Sequence, residues 1–281
     1  MKMDVDSFRR SPHKAVTLIG MSGVGKTTLA NAVPKTDWFH YSGDYRIGTK
    51  YMEEPILDNI KKQAMQVGFL RDLLRSDSIY ICSNITVHNL APLSTFIGKV
   101  GNPDQGGLHF DEFLRRQRLH RTAEIGAMRD VSEFIDKAHQ IYGYPHFIND
   151  AGGSICELDD PETIELLASH TLMLYLRADA SMEDELVRRA IASPKPMYYS
   201  EDFFRARLKE YIDTNGLDAA NQIDPDEFVV WIFPRLVEHR RPRYEALAKT
   251  YGYTVDANDA ATIRDEQDFI SLVCGGIEGA A

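Results

Sequence analysis

The sequence predicts an α/β protein, a parallel β-sheet covered by helices on both faces. Three observations carry that expectation. Short apolar runs, Ala15-Val16-Thr17-Leu18-Ile19 and Thr171-Leu172-Met173-Leu174-Tyr175-Leu176, read as strands buried on both sides. Stretches with apolar residues at helical spacing alternate with such runs. Between the first run and a following helix lies Gly20-Met21-Ser22-Gly23-Val24-Gly25-Lys26-Thr27-Thr28, which matches G-x-x-x-x-G-K-[ST]. Strand, glycine loop and helix in that order are the setting this motif needs.

The remaining elements follow in order. Leu29 to Val33 continues the helix after the loop, and Pro34 stops it. Asp37 to Asp44 is a short aromatic strand ending in a polar turn. Residues 52–74 carry Ile56, Ile60, Met65, Phe69 and Leu73 at roughly helical spacing. The run Ser78 to Cys82 is too short for its period to separate a strand from a buried helix. Gly101 to Gly107 is a loop, and a long helical pattern covers 110–141. Tyr144 to Asp150 is the next strand, followed by a helix near 161–169 that Asp159 or Asp160 would cap. After the strand at 171–176, residues 181–192, 200–214 and 226–250 read as helices, the last broken or kinked at Pro234 and Pro242. Tyr251 to Asp256 reads as a final strand, and 263–273 as a terminal helix.

The glycine loop has a specific physical use. Its glycines let backbone N–H groups turn inward around phosphate oxygens, and the helix N-terminus adds partial positive charge. Lys26 would reach the β- and γ-phosphates, and the Thr27 hydroxyl would ligate Mg²⁺. Gly20, Ser22, Gly23, Val24, Gly25, Lys26, Thr27 and Thr28 are therefore the expected nucleotide site of an α/β P-loop NTPase.

Composition narrows the rest. A chain of 281 residues suits one domain with large insertions as well as two, and we read 1–281 as one. A formal net charge of −10 argues against a protein whose main task is gripping nucleic-acid backbone. The 3 widely spaced cysteines give neither a disulfide framework nor a zinc pattern and suit a reducing compartment. The first fifteen residues carry Asp4, Asp6, Arg9 and Arg10 without an apolar run, so no signal peptide is expected there. With no apolar window long enough to span a membrane, the cytoplasm is the expected location.

Several segments together resemble the shikimate kinase branch of the small-molecule P-loop kinases. Beside the P-loop, Ser42-Gly43-Asp44-Tyr45-Arg46-Ile47 is similar to that family's D-x-D-x-x-I, with Ser42 in place of the first acid. Asn149-Asp150-Ala151-Gly152-Gly153-Ser154 resembles the glycine run after the third strand, and Leu174 to Ala178 the strand that follows. Arg240-Arg241-Pro242-Arg243-Tyr244 is similar to the family's R-x-P-L-Y helix. A looser match places Glu124 and Arg129 near the substrate-binding G-E-x-x-F-R, one residue out of step. Lys195-Pro196-Met197 sits where the lid carries R-P-L-L, with lysine for arginine. Residues 51–122 have no counterpart, which implies a mainly helical insertion on the acceptor side; a lid-like segment falls at about 181–214. The resemblance implies a nucleoside-kinase-like fold, ATP as the nucleotide, Mg²⁺, and a small-molecule acceptor. The absence of a guanine-reading N-K-x-D in the late chain points the same way.

Roles are assigned residue by residue. Asp44 at a strand's carboxyl end could receive or position an acceptor hydroxyl, or simply cap the next helix. Asp150 could serve the metal, or only start a turn before Gly152 and Gly153. Arg188 and Lys195 are candidate lid cations; Arg240 and Arg129 are candidate acceptor-side cations, with a solvated helix face as the alternative for each arginine. Arg115, Arg116, Arg118 and Arg121, with Asp111, Glu112 and Glu124 nearby, read best as a salt-bridged surface. The histidines show no metal-ligand spacing. Two functions stay open: a kinase acting on a small molecule, and an ATPase or nucleotide-gated regulator whose insertion binds a protein partner.

Overall fold

The computed structural model describes residues 1–280. Its centre is a five-stranded parallel sheet, β1 (Ala15–Ile19), β2 (Trp38–Ser42), β3 (His146–Asp150), β4 (Leu172–Arg177) and β5 (Gly252–Asp256), in the order β2-β3-β1-β4-β5. Leu172 to Tyr175 are buried without alternation, as a strand covered on both faces requires. This is an α/β P-loop NTPase fold.

Helix α1 (Val5–Arg10) precedes the sheet, and the Asp4 carboxylate caps it by accepting from the Ser7 N–H. The glycine loop runs directly into α2 (Lys26–Ala32). At the end of β2, α3 (Gly43–Arg46) starts at once, with the Ser42 hydroxyl accepting from the Tyr45 N–H at 3.3 Å. The predicted helix at 52–74 is two, α4 (Glu53–Ala64) and α5 (Gly68–Arg75), separated where Val67 is extended beside Gly68, both poor helix formers. Residues 78–82 form neither strand nor helix: no strand satisfies their backbone, and Tyr80 is 86% exposed. Next come α6 (Ala91–Ile97), α7 (Phe110–Arg129) and α8 (Val131–Gln140); the expected long helix divides at Asp130. After β3 come α9 (Pro161–His170), α10 (Ala180–Ala192) and α11 (Glu201–Asn215).

Helix α12 (Pro225–Tyr251) passes Pro234 and Pro242 without ending, so of the break or kink expected there the break does not occur. Each proline removes one intrahelical N–H, and tertiary burial of Phe228, Ile232, Phe233, Leu236, Val237 and Tyr244 offsets the loss. The chain closes with α13 (Ala257–Ala260) and α14 (Glu266–Glu278). Helices α12 and α14 pack against β5, and α2 and α8 against β3. A second apolar cluster, separate from the core around the sheet, joins α7, α11 and α12 through Phe113, Leu114, Phe204, Leu208, Phe228 and Leu236. No helix among the described residues is long and apolar enough to cross a membrane.

Register fixes where chemistry can occur. Leu18 of β1 and Ser42 of β2 both lie opposite Asp150 of β3. The loops that leave these three strands therefore emerge side by side at the carboxyl edge, where open α/β sheets bind ligands.

Candidate active site

The glycine loop curls over the end of β1. Gly23 has φ of 90°, a conformation that side chains strain to adopt, and Leu186 Cδ2 of α10 lies 2.9 Å from where its Cβ would be. Lys26 Nζ donates to the carbonyls of Gly20 at 2.8 Å and Met21 at 3.1 Å. Its burial pushes the ammonium pKa down, while Asp150, Asp44 and Glu124 oppose that shift. Thr27 Oγ1 donates to Asp150 Oδ2 at 2.5 Å. A cavity of about 200 Å³ is bordered by Gly25, Lys26, Thr27 and Thr28 from the loop, with Asp44, Asp150 and Gly153 facing them. Val24 sits beneath the loop, 3% exposed, in the apolar core.

Asp44 lies in the first turn of α3 and borders both this cavity and an adjoining one. Opposite it, α7 supplies Glu124, fully buried; Ser154 Oγ donates to its Oε2 at 2.5 Å, and its Oε1 has no partner among the described residues. The two carboxylates meet across Gly152. A Cβ on that residue would lie 2.5 Å from Glu124 Oε1 and 3.2 Å from Asp44 Oδ1, which leaves glycine as the residue that fits. Gly153 approaches the P-loop as closely, with its Cβ position 2.8 Å from the Ser22 nitrogen.

Burial, then repulsion from Asp150, raises the Asp44 carboxyl from 3.8 to about 6, with Lys26 pulling the other way. Burial, with Asp44 adding to it, raises Glu124 from 4.5 to about 7, against the Ser154 hydrogen bond. Between those limits the folded chain holds protons that the unfolded chain has released. The stability these groups contribute is therefore fullest at low pH and is lost as pH climbs towards about 7. The thermal midpoint should fall over that range, and Glu124→Gln should flatten the fall. A Glu124→Gln curve as steep as the native one would remove Glu124 from this account.

Arg240 is 3% exposed and committed to the protein. Its Nε donates to Glu157 Oε2 at 2.7 Å, Nη1 to the Gly153 carbonyl at 2.8 Å and Nη2 to the Tyr198 carbonyl at 2.8 Å. Burial pushes the Glu157 carboxyl up, but Arg240 outweighs it and holds the group down at about 2. The guanidinium thus ties α12 to the glycine turn after β3 while also bordering the cavity beside the phosphate cradle.

The other expected cations divide. Lys195 is exposed and borders a third cavity of about 540 Å³ with Ser22, Gly23, Leu186 and Arg189. Arg188 borders none of the three cavities and pairs with Glu185 at 2.6 Å. Arg129 is drawn to the start of α9 instead of the acceptor side: Nε donates to Thr163 Oγ1 at 2.8 Å and Nη2 to Asp160 Oδ2 at 3.0 Å. The arginines of α7 are held by protein groups: Arg115 and Arg116 by Glu112, Arg118 by Glu201 and Arg121 by the Leu158 carbonyl.

Sequence reasoning missed Glu157, and set Glu124 both near a substrate-binding match and beside a salt-bridged surface. A signal existed for Glu124. Phe113, Gln117, His120, Glu124 and Met128 recur every three or four residues and share one helix face, buried throughout. Polar residues interleaved with apolar ones on such a face mark a buried polar site.

No family model matches this chain, and no curated protein matches it. Among solved structures it is similar to the shikimate kinase from Bacteroides thetaiotaomicron determined at 1.7 Å resolution. Identity is 16%, the match covers 92% of this chain and 94% of that one, and the TM-score is 0.39.

Proposed function

We propose that this chain binds ATP with Mg²⁺ and transfers the γ-phosphoryl group to the hydroxyl of a small molecule. One observation carries the reading: Lys26, Thr27, Asp150 and Asp44 border a single cavity, and Asp44 also borders the adjoining one. A phosphate tail in the first would present its end to Asp44, and an acceptor in the second would present a hydroxyl to the same carboxylate.

The residues act as follows. The P-loop N–H groups and Lys26 hold the β- and γ-phosphates once Lys26 leaves the Gly20 and Met21 carbonyls. Thr27 and Asp150, already joined by a hydrogen bond, would hold the divalent cation, which when bound neutralises charge on the phosphate oxygens. Asp44, raised to about 6, is ionised near neutral pH yet basic enough to take the acceptor's proton. Lys195, beside Ser22 and Gly23, would balance charge on the migrating group. Arg240 acts through Gly153 as a positioning residue. With three free cysteines, we place the protein in the reducing cytoplasm.

Product analysis tests the reading, because a kinase yields ADP and a phosphorylated acceptor in equal amounts. Asp44→Asn should lower acceptor-dependent turnover by about 10²–10⁴-fold while leaving ATP binding in place. Retained turnover in that variant would exclude Asp44 as the base. A second reading, a nucleotide-gated regulator with a protein partner, draws on α5 and the residue before it, where Val67, Phe69 and Leu73 are 44%, 67% and 37% exposed. Under it, ADP appears with free phosphate and no small molecule accelerates turnover.

A further inference from the structure

His40 stands on β2 beside the acid assigned to the cation. Side chains alternate along a strand, so His40 faces the same side of the sheet as Trp38 and Ser42. Ser42 lies opposite Asp150, and His40 opposite Ile148, two residues earlier on β3. His40 Nε2 lies 3.8 Å from Asp150 Oδ2, the same oxygen that accepts from Thr27 Oγ1. Both side chains are largely buried, 14% and 8% exposed.

Each member of that pair is incompletely satisfied. His40 Nε2 is buried and has no hydrogen-bond partner among the described residues. Shut off from solvent, it carries a desolvation penalty that water cannot relieve. Asp150 Oδ2 takes its hydrogen bond from Thr27 and, as a carboxylate oxygen with two lone pairs, has room for a second donor. A separation of 3.8 Å is too long for a hydrogen bond, yet closing by about 1 Å makes one. Carboxylates that serve a metal are in turn aimed by hydrogen bonds from the groups behind them, and His40 is so placed.

We infer that His40 is a positioning residue for Asp150: with the divalent cation bound, its Nε2–H bonds to Asp150 Oδ2 and fixes the carboxylate that serves the cation. This rests on the assignment of Thr27 and Asp150 to the cation in the kinase reading above, and on no particular acceptor. When Thr27 Oγ1 turns a lone pair to the cation, its hold on Oδ2 relaxes and the carboxylate settles towards β2. His40 then closes the gap. A neutral imidazole with its proton on Nε2 suffices, so no change of charge is involved. The bond pairs the buried nitrogen in the cation-bound state, so its stabilisation falls on that state.

The test uses the intact protein with a non-hydrolysable ATP analogue and Mn²⁺, whose free fraction is read by electron paramagnetic resonance. His40→Phe keeps a ring and removes the donor; His40→Gln keeps an N–H donor. His40→Phe should weaken Mn²⁺ binding to the nucleotide complex by about tenfold or more, and His40→Gln should recover most of that loss. Binding of the analogue in EDTA should stay at the native level in both. Equal losses of Mn²⁺ binding in the two variants, or none in either, overturn the inference. So does a fall in metal-free nucleotide binding that matches the fall in Mn²⁺ binding, since His40 would then only support the cradle. Asp150→Ala separates the two levels: if it leaves Mn²⁺ binding unchanged, the cation assignment falls together with the inference. Should His40→Phe fail to fold, nitrogen NMR of the histidine rings in the native chain decides, with His40 assigned by its absence from His40→Gln. Its Nε2 signal should be that of a protonated nitrogen and should shift when Mg²⁺ joins the analogue; a signal indifferent to Mg²⁺ overturns the inference.

Discussion

Arg240→Met is expected to destabilise the chain by about 3–5 kcal/mol, since it leaves a buried carboxylate without its counter-charge. Glu157 is fully buried and relies on Arg240 for its ionised state. The Gly153 and Tyr198 carbonyls lose a donor in the same event. At this chain length such a loss lowers the thermal midpoint by roughly 10 °C. The double replacement Arg240→Met with Glu157→Leu should recover much of that loss, because no buried charge is then left alone. Chemical denaturation measures both variants. A loss below about 1 kcal/mol for Arg240→Met alone would show that the pair adds little to folding.

The second large effect falls on nucleotide handling. Lys26→Ala should lower ATP turnover by about 10²–10³-fold, because a preorganised cation in a sheltered site is removed from the phosphates. Its effect on folding should have the opposite sign or none. The ammonium is buried at an energetic cost, visible in its lowered pKa, and the Gly20 carbonyl keeps a donor in the Tyr244 hydroxyl at 3.1 Å. ATP should therefore raise the thermal midpoint of the native chain and leave that of Lys26→Ala unmoved. A variant still protected by ATP would mean that phosphate is gripped elsewhere.

The parts legible in the sequence share a physical cause. β1 and β4 are continuous apolar runs because both of their faces are covered. The P-loop is legible because its backbone geometry demands glycines at fixed places. Asp44 and Asp150 stand at strand ends that apolar runs announce in advance. What was hidden depends on contacts distant in sequence. Arg240 and Glu157 are 83 residues apart and each alone reads as a solvated charge. Glu124 sits in an arginine-rich helix whose charged side dominates the eye, though its own face is buried. The run at 78–82 looked like structure because local composition cannot report whether a neighbouring strand exists. The prolines of α12 do not end it, since a helix buried along much of its length survives the loss of single backbone bonds.

Ser22 belongs to all three cavities at once. The loop that would embrace the triphosphate is thus also the party wall between two other chambers. One residue added to or taken from it shifts three boundaries together, so the chambers are not separately adjustable from this side. Variation in what each admits has to come from the opposite walls, α6 for one and the segment around Lys195 for the other.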